Sequence, residues 1–139
     1  MKYLLDTNVL LEPVKPTADV NVLKHLVLFE HEIATAAPVL HELQYGVRRL
    51  AESAKRRTLE AYLKEVVLPN IPILPYDQRA AVWHADQRAR LAINGRPLAF
   101  VDGQIAAIAR VNGLVLVTRN VADFLGFQDL EVENWHDDL

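Results

Sequence analysis

Leu114-Val115-Leu116-Val117 constrains the fold more than any other stretch, being apolar at every position and too short for a helix. Side chains alternate between the two faces of a strand, so a run with no polar position must be covered on both sides. That is the situation of a central strand in a parallel sheet. The run empties into Thr118-Arg119-Asn120. A similar run, Lys2-Tyr3-Leu4-Leu5, ends at Asp6-Thr7-Asn8 and reads as a second buried strand entering a polar loop. In open parallel sheets, ligands bind beyond the carboxyl ends of the strands, where the strand order reverses. If these two strands are neighbours, the loops after Leu5 and Val117 share one crevice.

Elsewhere the punctuation alternates helix with strand. Pro13 and Pro16 bracket a turn, and Asp19 is placed to N-cap a helix over 20–30. Ile33-Ala34-Thr35 predicts a strand. Pro38 suits the first turn of the following helix, where its missing N–H is not needed. Val39, Leu40, Leu43 and Val47 form the apolar stripe of that helix, with Glu42 beside it. Helix is expected again from Glu52 to Val67, with a basic outer face. Ile73-Leu74 predicts a third strand, Asp77 caps a helix reaching Ile93, and Asn94-Gly95 stops it. A strongly apolar helix runs from Val101 to Val111 and closes at Asn112-Gly113. A short helix near 121–125 and an edge-like strand from Leu130 to Glu133 follow. This alternation predicts an α/β fold whose parallel sheet is covered on both faces.

With 139 residues, 51% of them hydrophobic, the chain makes one domain, 1–139, able to bury a core without staples. It contains no cysteine, which excludes a disulfide scaffold, thiolate metal sites and cysteine nucleophiles, and suits a reducing cytosol. The apolar opening is broken by Asp6 and Asn8 and lacks a small-residue cleavage site, so it does not read as a signal peptide. No run approaches the roughly 18 apolar residues of a membrane span. A soluble cytoplasmic protein is expected. The net charge of −3 does not announce a nucleic-acid binder, but Arg48, Arg49, Lys55, Arg56 and Arg57 cluster with Glu52 the only acid among them. Such a cluster is either a solvated helix face or a phosphate-contacting ridge.

Four carboxylates sit in apolar settings: Asp6 after a strand, Glu42 between Leu40 and Leu43, Asp102 after Phe100-Val101, and Asp123 before Phe124-Leu125. A buried carboxylate needs a cap, a salt bridge or a metal. Each alone has an ordinary role: Asp6 can close a turn, Asp102 can cap its helix, and Asp123 can pair with Arg119. Together they suggest more. Carboxylates crowded into one crevice repel one another, and divalent cations are the natural compensation. Oxygen-only donors suit Mg²⁺ or Mn²⁺, which also support phosphodiester hydrolysis. Thr7, Asn8, Thr118 and Asn120 supply short polar groups able to orient such ligands.

Other chemistries fail on spacing. His41 beside Glu42 suggests zinc, but a metalloprotease helix needs a second histidine four residues on, and that position is Tyr45. His25, His31, His84 and His136 are scattered. Ser53 is the only serine and lies outside any nucleophile-elbow setting. No glycine-rich nucleotide loop is present. A phosphatase using Asp6 as nucleophile would want an acid at position 8, which is Asn8.

The ordered motifs resemble the PIN-domain nucleases. Leu4-Leu5-Asp6-Thr7-Asn8-Val9 is similar to their first motif and Val39-Leu40-His41-Glu42-Leu43-Gln44-Tyr45-Gly46-Val47 to their second. Val101-Asp102-Gly103-Gln104-Ile105-Ala106-Ala107-Ile108-Ala109 resembles the third, and Leu116-Val117-Thr118-Arg119-Asn120-Val121-Ala122-Asp123-Phe124 the fourth. Size and a short tail containing Trp135 look most like the VapC and FitB branch, toxin halves of type II toxin–antitoxin pairs. The resemblance implies a Rossmann-like three-layer α/β/α domain with parallel sheet order 3-2-1-4-5. It also implies Mg²⁺ (or Mn²⁺), hydrolysis of RNA, a homodimer and an inhibitory antitoxin. Carried over by position, Asp6, Glu42, Asp102 and Asp123 become catalytic metal-binding carboxylates, with Thr118 and Asn120 as supporting polar residues near the fourth acid. Because phosphate contact needs positive charge, Arg48, Arg49, Arg56 and Arg57 are the RNA-contact candidates. Leu50, Leu59 and Tyr62 are candidates for the dimer surface, or simply core. The alternative is a PIN-like module that binds nucleic acid or protein without turnover.

Overall fold

A computed structural model describes residues 1–137. Five parallel strands form one sheet: β1 (Tyr3–Leu5), β2 (Ile33–Ala36), β3 (Ile73–Leu74), β4 (Val115–Val117) and β5 (Val132–Glu133), in the order β3-β2-β1-β4-β5. This is the order that the motif resemblance implies. β1 lies between β2 and β4, with Leu5 opposite both Thr35 and Val117. Every residue of β1 and β4 is buried, as their unbroken apolar character requires. The buried Thr35 hydroxyl, inside this apolar layer, donates to the Leu5 carbonyl at 2.7 Å, so its polarity is satisfied.

The helices start and stop where local chemistry directs. Asp6 N-caps α1 (Thr7–Leu10), and Asp19 caps α2 (Val20–Leu28) through the Asn21 and Val22 amides. Pro38 falls in the first turn of α3 (Ala37–Arg49). Asp77 accepts from the Ala80 amide at the head of α6 (Gln78–Ile93). α7 (Phe100–Val111) begins without a side-chain cap. Gly95 and Gly113, both at φ +67°, turn the chain just past α6 and α7. Among the described residues, no helix is long and apolar enough to cross a membrane.

The stretch expected to be helical from Glu52 to Val67 is not uniform. Leu50 turns extended after α3, and α4 (Ala54–Tyr62) starts only after Ser53, whose Oγ accepts from the Arg56 amide at 3.1 Å. Ser53 offers the backbone a cap, which ends one helix register and begins another. The chain then widens into a π-helical turn at Leu63–Val67 before a short α5 (Leu68–Asn70). Pro69 has no N–H for a helical ladder, which fits a weakened ladder in the turn before it.

The tail carries structure that its sequence does not announce. Trp135 is fully buried, in ring contact with Tyr3, Phe29 and His25 at 5.1, 5.8 and 4.9 Å. Beside it, His136 meets Glu12 at 3.0 Å with both side chains at or below 4% exposure, and Lys15 reaches the same carboxylate at 2.9 Å. Burial alone would raise the Glu12 pKa, but hydrogen bonds from Lys15, the Asp19 amide and His136 outweigh it and hold the group at about 2. Its folded value lies below its ordinary value of 4.5, so its contribution is complete above about 4.5 and lost as pH falls toward 2. Denaturant titrations in that window are therefore expected to give a shallower acid loss for Glu12→Gln than for the parent. Parallel curves would contradict the pairing.

Candidate active site

Two loops at the carboxyl edge of the sheet meet at Asp6. Its backbone amide donates to the Val117 carbonyl at 2.9 Å, which ties β1 to β4 where both strands end. The carboxylate is 9% exposed and fixed on both oxygens: Oδ1 accepts from the Thr7 amide and Oδ2 from the Thr118 hydroxyl, each at 2.8 Å. Thr118 Oγ1 also accepts from the Asn120 amide at 3.1 Å. Asn8 Oδ1 accepts from the Arg119 amide at 3.0 Å, joining the two loops a second time. Thr7, Asn8, Thr118 and Asn120 thus brace one acid and the loops around it.

Glu42 on α3, Asp102 in the first turn of α7, and Asp123 in a 3₁₀ turn (Val121–Phe124) supply the other carboxylates. Burial raises Asp102 to about 6, and the charges of Asp123, Asp6 and Glu42 push it the same way. All four acids therefore share one electrostatic environment. Asp102 makes no helix-capping hydrogen bond, so the ordinary role considered for it does not hold. Among the described residues, no three Asp, Glu or His side chains are drawn in tightly enough to enclose an ion. The charges of Asp123, Asp6 and Glu42 all oppose ionisation of Asp102. An all-oxygen set of this kind fits a hard divalent cation such as Mg²⁺ or Mn²⁺.

The arginines divide. Arg48, Arg49 and Arg57 are exposed, and Arg49 stacks over Tyr45 at 5.3 Å. Arg56 is committed elsewhere: it pairs with Glu60 and Glu52 and donates to the Leu50 carbonyl at 2.9 Å. Of the hydrophobic residues considered for a dimer surface, Leu59 and Tyr62 are occupied. The Tyr62 hydroxyl donates to the Leu10 carbonyl, and Leu59 packs against the core. Leu50 and Leu59 help line an apolar groove of about 440 Å³ with Leu11, Leu43 and Val47, and Glu42 and Thr7 belong to its wall.

The fold and the ordered acids define a class. The chain belongs to the PIN domain family, whose pattern it matches over residues 3–125. It is 33% identical over 137 residues to toxin FitB of Neisseria gonorrhoeae, covering 96% of this chain and 99% of that protein. It is 32% identical over 135 residues to the tRNA(fMet)-specific endonuclease VapC of Shigella flexneri, covering 97% and 98% of the two. The structure of FitAcB from Neisseria gonorrhoeae superposes with a TM-score of 0.86 at 33% identity, over 96% of this chain and 97% of that one.

Proposed function

We propose that this protein is a metal-dependent endoribonuclease, the toxin half of a type II toxin–antitoxin pair. The observation that carries the reading is the convergence of acids on Asp102, whose carboxyl is held at about 6 by burial and by the charges of Asp123, Asp6 and Glu42. A site that stores this repulsion is built for a positively charged ligand. Mg²⁺ or Mn²⁺ held there would activate water and neutralise charge on a phosphodiester. The chain's own part is positional. Thr118 and the Thr7 amide hold Asp6 on both oxygens, so its ligand geometry is set before any ion arrives. RNA as substrate accords with the endonuclease name carried by the Shigella relative, and a partner antitoxin with the toxin name of FitB. The apolar groove that reaches Glu42 is suited to a segment of such an antitoxin, which would cover the acids as it docked. Assembly as a homodimer belongs to the same reading.

The test is cleavage of a structured RNA pool by purified protein with Mg²⁺, Mn²⁺ or EDTA. Cuts are expected with either ion and not with EDTA. A folded, metal-binding, antitoxin-free protein that leaves the pool intact would favour a binding module instead.

Positive charge along α3 and α4 should hold the RNA backbone. The exposed Arg48, Arg49 and Arg57 are the candidates, and Arg56 is set aside because its guanidinium is already paired. Reversing Arg48 and Arg49 to glutamate is expected to weaken RNA binding at low salt and to flatten its salt dependence by about one to two counterions. Filter binding across a salt series measures this, and an unchanged slope would remove these arginines from the interface.

A further inference from the structure

Beside Glu42, on the side away from the apolar groove, lies an open notch of about 410 Å³, near the lower end of small-molecule pockets at about 300–1,000 Å³. Pro38, His41 and Glu42 of α3 form one wall, Val101 and Gln104 of α7 another, and Tyr76 a third. We propose that this notch receives one unpaired nucleobase, next to the phosphodiester that is cut, and that Gln104 reads the edge of that base. The proposal rests on the ribonuclease reading.

The notch is assembled with care at its back. His84, 3% exposed on α6, bonds the Tyr76 hydroxyl through Nδ1 at 2.8 Å, which fixes the phenol ring. Phe100 also packs against His84, with ring centroids 4.8 Å apart. The imidazole fits only because position 103 is glycine, since a Cβ there would lie 2.1 Å from His84 Nε2. A glycine within the third motif thus makes room for the group that steadies Tyr76.

The lining chemistry selects the ligand. Tyr76 and His41 bring aromatic rings to the lining, and Pro38 and Val101 bring apolar contact. Gln104 is half-buried, and its amide has no hydrogen-bond partner among the described residues, so a donor and an acceptor are both available. Unstacked bases in single-stranded RNA are recognised by this combination of stacking and an edge-reading amide. Glu42 and the nearby Asp102 repel a phosphate, so the uncharged part of a nucleotide is the part that enters. The adjoining phosphate would then lie on the carboxylate side, where a divalent cation could meet it.

Two measurements test this together. In the first, cut sites in an RNA pool are sequenced for the parent, Gln104→Leu and His41→Ala, the last at an exposed position where folding is not at stake. The parent should prefer one base at one position flanking the cut. Both variants should reduce that preference at least fivefold and leave the preferences at other positions within twofold. In the second, AMP, GMP, CMP and UMP are titrated separately into ¹⁵N-labelled protein with Mg²⁺ present, following the Gln104 side-chain amide. At least one mononucleotide should shift it saturably, with the shift absent for a ribose phosphate that has no base. If the parent cuts RNA, both variants keep its base preference and no mononucleotide moves the amide, the notch proposal is overturned while the nuclease reading stands. If the parent cuts no RNA yet a mononucleotide saturates the amide, the base site is upheld and the nuclease reading fails.

Discussion

Asp102→Asn is expected to make the metal-free protein more stable at pH 7.5 by about 1–3 kcal/mol while lowering RNA cleavage at least about a thousandfold, about 4 kcal/mol of barrier. The two effects share one cause. The Asp102 carboxyl is raised from 3.8 to about 6 by burial and by Asp123, Asp6 and Glu42. Between those values the folded state holds the proton more tightly than the unfolded state. Stability therefore falls as pH rises from about 4 to about 6, and stays lower above that. Asparagine keeps the shape and removes the charge, so the cost at neutral pH disappears. The same charge is what a divalent cation would bind, so the gain in stability comes with the loss of function. Saturating Mn²⁺ should reverse the stability order, because only the parent binds it tightly. Chemical denaturation with and without Mn²⁺, beside a cleavage assay, measures all three effects. A metal-free variant less stable than the parent at pH 7.5 would break the link between repulsion and function.

Trp135→Ala is expected to cost about 3–5 kcal/mol, against a total stability of about 5–15 kcal/mol for a domain. The indole is 1% exposed and closes an aromatic cluster with Tyr3, Phe29 and His25. Its carbonyl accepts from Asn21 Nδ2 at 2.8 Å, and the next residue, His136, reaches Glu12. Truncation therefore opens a cavity against β1 and loosens the fastening of the chain around Glu12, which stands just ahead of the groove-lining Val14. Trp135→Phe should recover more than half of the loss. Urea midpoints report both variants, and a loss below about 1 kcal/mol for the alanine would mean that the tail does not seal the core.

What the sequence discloses, and what it hides, follows from how local each signal is. β1 and β4 are legible because short all-apolar runs can only be central strands, and Asp6 is legible because it interrupts such a run. Asp19, Asp77, Gly95 and Gly113 mark helix ends through capping and φ preferences that act within a few residues. Convergence of the acids is hinted at by motif order alone, since Asp6 and Asp102 meet only when the sheet brings distant loops together. The Glu12–His136 pair spans most of the chain, and no short-range pattern could reveal it. Arg56 is a different miss. Glu52 and Glu60 lie four residues to either side, so its i,i+4 pairing is written locally in the sequence and competes with the basic-cluster reading. The break at Ser53 is likewise a local signal, as a lone serine inside an expected helix is a potential cap. Tyr76 and Gln104 carry no signal until α6 and α7 place them around Glu42.

Mn²⁺ affinity, measured by calorimetry at pH 7.5 and 5.0 for the parent, Asp6→Asn and Asp102→Asn, addresses the four-carboxylate site without any assumption about substrate. Saturable binding by the parent is expected at pH 7.5, weakened about tenfold at pH 5.0 as protons compete at Asp102. Both variants should bind at least tenfold more weakly at pH 7.5, and Asp102→Asn should lose most of the pH dependence. Equal affinities across the three proteins, or a parent that binds no better at pH 7.5 than at 5.0, would contradict a metal site built on these acids.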